Sequence, residues 1–124
     1  MALLHAAALD ARLAEVIVEG GLTSYEAVAH APIHRRIMAG VVPGVLGRYD
    51  LPDLAACLAP RPLTLIDMRA PAGQRALLRD VREVYRYAAA AYAAAGAPQQ
   101  LVIGLQREGE PLDAAYPQLK EKAQ

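Results

Sequence analysis

Few side chains in this chain of 124 residues have the type and spacing that catalysis or metal binding requires. His30 and His34 are four residues apart, a spacing at which two imidazoles on one helix face can bind a metal ion. Pro32 lies between them and interrupts the helix that would align them. Ser24 is the only serine and precedes a helix-forming segment at Tyr25, where a hydroxyl typically caps the first turn. We therefore expect no metal site, and we expect Ser24 to be a helix cap.

The other reactive groups also favour structural roles. His5 lies in a predicted helix, where packing or a surface position is expected. Cys57 is the only cysteine, which excludes an intramolecular disulfide, and its apolar neighbours predict a buried, unreactive thiol. Asp67 follows a predicted strand and is a weak candidate for a catalytic acid, because an aspartate at a strand end is also ordinary turn chemistry. No glycine loop has the spacing of a phosphate-binding motif, so no cofactor is expected.

Composition and charge exclude several classes of partner. Thirteen basic residues balance thirteen acidic ones without a block of like charge, so neither nucleic acid nor an anionic membrane is favoured. The one basic cluster, residues 34–36, is expected to be the solvated face of a helix. No apolar run reaches the roughly 18 residues that span a bilayer, and the first residues lack the basic start of a signal peptide. These features predict one packed domain over residues 1–124, without a membrane partner, in the cytoplasm.

Apolar strands alternate with helices along the chain. The patterns predict buried strands at residues 14–18, 63–66 and 100–105. They predict helices at residues 2–13, from residue 25, and at residues 33–39, 51–58 (capped by Asp50), 74–95 and 111–122. This alternation is typical of an α/β fold, in which a parallel sheet of about three strands is flanked by helices.

One run of residues resembles a known family. Residues 43–67 read Pro-Gly-Val-Leu-Gly-Arg-Tyr-Asp-Leu-Pro-Asp-Leu-Ala-Ala-Cys-Leu-Ala-Pro-Arg-Pro-Leu-Thr-Leu-Ile-Asp. With Leu-Leu-His-Ala-Ala-Ala-Leu-Asp at residues 3–10 and Glu-Gly-Gly-Leu-Thr-Ser-Tyr at residues 19–25, the pattern covers nearly the whole chain. It is similar to the C-terminal half of α/β-hydrolases of the acetyl xylan esterase and dienelactone hydrolase type.

The resemblance implies positions for a serine, an acid and a histidine, and none of the three is filled. The serine turn would directly precede the first helix, but the chain begins there with Met1. The acid would stand three residues before Gly73, at Ala70, and Asp67 is only a nearby substitute. The histidine would follow the third strand, in residues 106–111, which contain none. A truncated hydrolase-like half without its triad is therefore expected.

Three functions remain open from the sequence. The favoured one is a non-catalytic hydrolase-like domain or fragment that acts by packing or recognition. The second is part of a carboxylic-ester hydrolase whose nucleophile comes from an upstream segment or another chain. The third is a small-molecule binding module at the carboxyl ends of the strands, where Asp67, Tyr25 and Arg69 could converge.

The resemblance also predicts a partner. In the complete fold the first strand, from Ala14 to Val18, pairs with the strand that leads into the nucleophile. Without that neighbour, the backbone groups along one edge of an apolar strand lack partners, and such an edge invites pairing. We therefore expect this strand to pair with a second copy in a homo-oligomer or with a complementing N-terminal half.

Overall fold

A computed structural model describes residues 1–106 and 109–110 of the chain. Its helices are α1 (Ala2–Leu9), α2 (Tyr25–His30), α3 (Leu51–Cys57), α4 (Leu78–Val84) and α5 (Arg86–Ala94). Its strands are β1 (Val16–Glu19), β2 (Leu63–Ile66) and β3 (Leu101–Gly104), and single turns of 3₁₀ helix occupy Met38–Gly40, Val45–Gly47 and Pro98–Gln100. The helix predicted at residues 111–122 lies outside the described residues.

The three strands form one parallel sheet in the order β1-β2-β3. The register pairs Val16 with Leu63 and Leu63 with Leu101. Each strand is four residues long, and β2 has the bounds that its apolar run predicts. β1 starts two residues later than predicted, because its first ladder bond runs from the amide of Val16 to the carbonyl of Pro62. The predicted fold class, a small parallel sheet flanked by helices, is confirmed.

The main core lies on one face of this sheet. Val16, Val18, Leu63 and Leu65 point to the same face, because in-register residues of parallel strands share a side. Helices α1, α3 and α5 cover that face and bury Leu4, Ala7, Leu51, Ala55, Leu58, Tyr85, Ala88 and Tyr92. Fully buried alanines let α3 and α5 approach closely. Ile17 and Ile66 contact each other on the opposite face, in a separate small cluster.

Helix α1 is shorter than its composition predicts. It ends at Leu9, where Asp10 adopts an extended conformation, rather than at residue 13. The guanidinium of Arg61 donates hydrogen bonds to the carbonyl oxygens of Ala7 at 2.7 Å, Leu13 at 2.9 Å and Asp10 at 3.2 Å. These bonds satisfy carbonyls that a helix end leaves without partners. Strong helix formers continue past Leu9, but a tertiary contact ends the helix.

The helix predicted at residues 33–39 does not form, so that prediction is wrong. Arg35 donates its backbone N–H to the carbonyl of Pro71 at 2.8 Å, which removes it from a helical ladder. Arg36 has a φ of 57°, a left-handed conformation that interrupts a right-handed helix. Only one 3₁₀ turn, Met38–Gly40, follows. The basic cluster therefore lies on a loop held against the segment that follows β2.

The single long helix predicted at residues 74–95 is also wrong. Residues near its predicted start pair with the loop after β2: Ala76 donates to the carbonyl of Met68 at 2.8 Å, and Ala70 donates to that of Gln74 at 2.9 Å. The helical segment begins only at Leu78 and is divided into α4 and α5 at Tyr85. Tyr85 is fully buried there, and its hydroxyl donates to the carbonyl of Thr23 at 3.0 Å.

Both predicted helix caps are confirmed, and one of them caps two helices. The Ser24 hydroxyl accepts from the amide of Ala27 at 3.0 Å at the start of α2. The Asp50 carboxylate caps α3 and also accepts the amides of Tyr25 and Glu26, in the first turn of α2. Asp50 thus joins the start of α3 to the start of α2, whose first residue, Tyr25, lies 25 positions earlier in the chain.

Candidate functional site

The loops that follow β1 and β2 run side by side at the carboxyl ends of the strands. The amide of Arg69 donates to the carbonyl of Gly21 at 2.7 Å, and the amide of Thr23 donates to the carbonyl of Arg69 at 3.1 Å. These bonds extend the parallel pairing beyond the strands as an isolated bridge between Leu22 and Arg69. Ligands of open α/β sheets bind beyond this end of the strands. The paired loops therefore form the floor of the region where a site is expected.

Asp67 lies at this end of the sheet, but its carboxylate is fully engaged. It is 6% exposed, and its backbone has a φ of 52°. One carboxylate oxygen accepts from the Arg75 guanidinium at 3.1 Å, and the other accepts from the amide of Gln106 at 3.0 Å. Its own amide donates to the carbonyl of Gly104 at 3.2 Å. Asp67 thus ties β2 to the segment after β3, and no histidine takes part.

The position that the family resemblance assigns to the acid belongs to a turn. Ala70 is half-buried, and its carbonyl accepts from the amide of Gly73 at 2.9 Å. Gly73 has a φ of 95°, a conformation that side chains other than glycine rarely adopt. The turn is therefore well defined, and it presents a methyl group where a carboxylate would be needed to orient an imidazole.

Within the described residues, none of the three histidines forms a hydrogen bond with Asp67 or with another histidine. The imidazole of His5 has hydrogen bonds of 3.0 Å to the Met1 carbonyl and the Tyr49 hydroxyl. His34 Nε2 bonds to the carbonyl of Val28 at 2.8 Å, and His30 is exposed at the last residue of α2. The spacing of His30 and His34 does not place them on one helix. Among residues 1–106 and 109–110, no group of three or more potential metal ligands is present.

The single thiol is exposed, so the prediction of a buried cysteine is wrong. Helix α3 buries Leu51, Ala55 and Leu58, which recur along one face at helical spacing. Cys57 lies next to Leu58 in the chain but on a different side of the helix. The apolar sequence neighbours of Cys57 wrongly predicted that its thiol is buried, because the position of a residue around the helix decides whether its side chain reaches the core.

A wide cleft opens beside the paired loops. It has a volume of about 1060 Å³ and runs from the end of β1 to the turn at Gly73. Among the described residues, three exposed arginines line it, Arg35, Arg36 and Arg69, and one acidic residue, Glu19. The guanidinium of Arg69 donates to the carbonyl of Gly73 at 3.2 Å. The cleft therefore has an excess of positive charge, although the whole chain is neutral.

The predicted convergence of Asp67, Tyr25 and Arg69 is wrong. Only Arg69 lines the large cleft. Tyr25 is 2% exposed and borders a separate, largely apolar cavity of about 320 Å³, where its hydroxyl donates to the carbonyl of Gly40 at 3.0 Å. Burial raises the pKa of Tyr25, and the nearby Tyr49 and Asp50 raise it further, so this hydroxyl remains a neutral donor.

Sequence reasoning missed Arg35 and Arg36 as residues of the cleft. Their neighbourhood predicts a solvated helix, and nothing local indicates that they face Arg69, which is more than thirty residues away in the chain. The sequence offers only a basic pair at Arg35 and Arg36 and a further arginine, Arg69, shortly after the strand at residues 63–66. The bond from the Arg35 amide to the carbonyl of Pro71 joins the two segments in the folded chain.

One edge of the sheet is formed by β1, which pairs with β2 alone within the described ranges. The amides of Val16 and Gly20 donate to carbonyls on the β2 side, at 3.0 Å and 2.9 Å. Backbone groups alternate between the two edges of a strand, so the N–H and C=O of Ile17 point away from β2. Ile17 also lines the large cleft. An apolar strand edge thus opens directly onto that space.

Comparisons of the chain with protein-family models, with curated proteins and with solved structures found no match. In the part of the chain that the structure covers, no helix is both long and apolar enough to cross a membrane.

Proposed function

We propose that this chain is a non-catalytic α/β-hydrolase-like domain that acts by recognition, accepting an additional strand on the open edge of β1. The observation that carries the proposal is this edge. Strand Val16–Glu19 is apolar at its centre, pairs on one side within the described residues, and faces the large cleft on the other. Edge strands with exposed backbone groups are templates for strand addition.

The engagement of the polar side chains supports a non-catalytic role. A serine hydrolase needs a nucleophile, an imidazole and an acid within hydrogen-bond distance of each other. Here the Ser24 hydroxyl caps α2, the His5 ring bonds to Met1 and Tyr49, and both carboxylate oxygens of Asp67 are occupied. An enzyme that used Asp67 would have to break its pair with Arg75, which disfavours the esterase alternative.

Charge along β1 favours a complementing strand over a second copy. By alternation, Glu15, Ile17 and Glu19 direct their backbone groups to the open edge. Antiparallel pairing of two copies centred on Ile17 would set Glu15 opposite the Glu19 of a second copy, and like charges directly opposite each other are destabilising. A strand with lysine or arginine flanking a β-branched centre has the complementary sign. We therefore take the occupant to be a complementing segment of that chemistry.

Amide hydrogen exchange on the full chain tests this proposal. The probe is an acetylated and amidated peptide, Lys-Val-Thr-Val-Lys, and the control is the same peptide with all internal amides N-methylated. We expect the Ile17 amide to exchange rapidly in the free chain, because exposed edge amides lack protection. The probe should slow that exchange, and the N-methylated control should not, because it cannot form ladder hydrogen bonds.

A substitution at Ile17 tests the open edge of β1 without removing the hydrogen bonds that join β1 to β2. Ile17→Pro removes the outward N–H while leaving the bonds of Val16 and Gly20 to β2, and proline is tolerated on strand edges. We expect this variant to fold and to lose the response to the probe, and Ile17→Val to keep it. An Ile17 amide that is already protected in a monomeric chain would contradict an open edge.

Two further results would change the assignment. A dimer in light scattering whose formation protects Ile17 would replace the complementing strand with a second copy as occupant. Hydrolysis of a chromogenic acetyl ester by the purified chain, abolished by a serine-directed reagent, would refute the non-catalytic role. We expect a monomer and hydrolysis at the rate of buffer alone.

A further inference from the structure

We infer that the cleft beside the paired loops binds a dianionic oxyanion, such as the phosphate group of a small molecule, between Arg35, Arg36 and Arg69. This site lies at the carboxyl ends of β1 and β2; it shares the cleft with the β1 edge, but it rests on the arginine side chains and not on the backbone groups of Ile17. Arginine guanidinium groups match the geometry of phosphate oxygens and bind them through short, charge-assisted hydrogen bonds.

Four of the other seven arginines among the described residues have a carboxylate partner, and the three cleft arginines have none there. Arg12, Arg75, Arg79 and Arg86 each form an ion pair, and Arg61 is taken up by backbone carbonyls. Within the described ranges, Arg35, Arg36 and Arg69 form no ion pair with an acidic side chain. Like charges that share one cleft repel each other, and an anion placed between them converts that repulsion into attraction.

Two of these side chains lie close to Gly73. The Arg69 guanidinium donates to the carbonyl of Gly73 at 3.2 Å. A Cβ placed on Gly73 would lie 3.5 Å from the Cβ and 3.8 Å from the Cδ of Arg35. A side chain at residue 73 would therefore contact the stem of Arg35, and glycine leaves that space open. The stem of Arg35 and the guanidinium of Arg69 therefore lie at the same turn, and both residues line the cleft.

The backbone that carries the arginines is fixed before any ligand binds. Hydrogen bonds hold Arg35 to Pro71 and Arg69 to both Gly21 and Thr23. Arg36 is held in a left-handed conformation, with a φ of 57°, between the anchored Arg35 and the buried Ile37. Strained residues of this kind concentrate at binding sites, where the surrounding structure imposes their geometry. A preorganised cleft loses less conformational freedom when it binds an anion.

The charges in the lining favour a ligand with more than one negative charge. Glu19 lines the cleft at its β1 end. Gln74 lines the other end and can donate from its amide. Three cations against one acid leave an excess of two positive charges in the lining. A dianion balances this excess, whereas acetate, with one charge, leaves it half balanced.

Titration of the full chain with inorganic phosphate tests the inference. Isothermal calorimetry and amide chemical shifts are measured at about pH 8, where phosphate is dianionic, with chloride keeping the ionic strength constant. We expect saturable binding with a dissociation constant on the order of 1 mM, a value typical of a few charge-assisted contacts. The largest shifts should be at Gly20, Gly21 and Gly73, which line the cleft.

Variants assign the binding to the cleft. Arg35→Gln and Arg69→Gln should each weaken phosphate binding about tenfold, because each removes a charged donor. The matched control is Arg82→Gln, an exposed arginine on α4 outside the cleft, and it should leave the affinity within about twofold. Two cleft variants are used so that one remains informative if the other fails to fold, as judged by circular dichroism.

Three results would overturn the inference. The first is no saturable response at about ten times the expected dissociation constant. The second is equal weakening by Arg82→Gln and by the cleft variants, which would indicate general charge screening. The third is acetate binding as tightly as phosphate, which would remove the requirement for a dianion. None of these results bears on the Ile17 edge, so this inference and the proposed function can fail separately.

Discussion

We expect replacement of Asp50, a small side chain, to lower the free energy of unfolding more than replacement of any other capping residue. Its carboxylate accepts the amide of Leu51 at 2.6 Å at the start of α3, and the amides of Tyr25 at 2.6 Å and Glu26 at 3.0 Å at the start of α2. A helix N-terminus leaves these amides without partners inside the helix. Asp50→Ala therefore removes the cap from one helix and part of the cap from another.

The magnitude follows from the number of helices affected. Loss of one N-terminal cap costs about 1 kcal/mol, within a range of roughly 0.5 to 2. A negative charge beside the positive end of each helix adds about 0.5 kcal/mol. Two helix starts therefore give a loss of about 3 kcal/mol for Asp50→Ala. Asp50→Asn keeps one acceptor oxygen but loses the charge, so we expect a loss of about half as much.

Urea unfolding followed by far-ultraviolet circular dichroism measures this loss. Two matched variants calibrate it on the same helices. Ser24→Ala removes only the side-chain bond to the amide of Ala27, and we expect it to cost about 1 kcal/mol. Asp53→Ala removes only the acceptor for the Asp50 amide, and we expect it to cost less than Asp50→Ala. The dependence of the unfolding free energy on urea should stay unchanged, since little surface is altered.

One comparison would refute the reasoning. If Asp50→Ala costs no more than Ser24→Ala, the carboxylate is an ordinary cap of α3 and its bonds to α2 contribute nothing in solution. A loss of about 3 kcal/mol is a large share of the 5–15 kcal/mol that stabilises a typical domain, so the two outcomes are readily distinguished.

Two other predictions concern the region where α1 ends. Arg61→Met keeps the apolar stem but loses three hydrogen bonds to carbonyls, and we expect it to lower the unfolding free energy in urea by about 2–3 kcal/mol, against almost none for Arg82→Met. Burial raises the pKa of Tyr92 to about 12 from 10.0. Its neutral hydroxyl therefore stabilises the fold fully below pH 10, and this contribution is lost as pH rises from 10 to 12. The urea midpoint should fall across that range, and Tyr92→Phe should flatten but not abolish the fall, because burial also raises the pKa of Tyr85. An Arg61→Met loss below about 1 kcal/mol, or an unchanged pH profile for Tyr92→Phe, would contradict these assignments.

Local patterns predicted the elements whose ends are determined by nearby residues. β2 has its predicted bounds because Pro62 precedes its apolar run and Asp67 ends it. Ser24 and Asp50 cap the helices that follow them, because the capping hydroxyl or carboxylate is adjacent to the helix in sequence. The fold class followed in the same way, since the alternation of strands and helices is itself a local pattern.

Predictions failed where a distant residue competes for the same backbone groups. Arg61 takes the carbonyls at the end of α1, the carbonyl of Pro71 takes the amide of Arg35, and Met68 takes the amide of Ala76. In each case the segment has the composition of a helix, and a bond across the fold replaces the helical one. Propensity is a weak prior that such contacts override.

The candidate sites show the same division. The sequence predicted an apolar strand at β1 and identified Asp67 as a strand-end acid, while the hydrolase resemblance remains a prediction. It did not predict that Asp67 pairs with Arg75 or that Arg35 and Arg36 line one cleft with Arg69. Arg36 and Arg69 are more than thirty residues apart in the chain, and no local sequence pattern indicates that they line one cleft. The pairing of Asp67 with Arg75 likewise depends on how the loop after β2 folds.

The sequence by itself determined which segments are apolar, which residues cap helices or end strands locally, and hence the α/β class with its parallel sheet. The tertiary structure alone decided which face of each segment is buried, which carboxylates are already paired, and which cations remain available at the carboxyl ends of the strands. The physical reason is range. Helix periodicity and capping act over a few residues, whereas hydrogen bonds to a distant carbonyl and the charge of a cleft depend on how the whole chain packs.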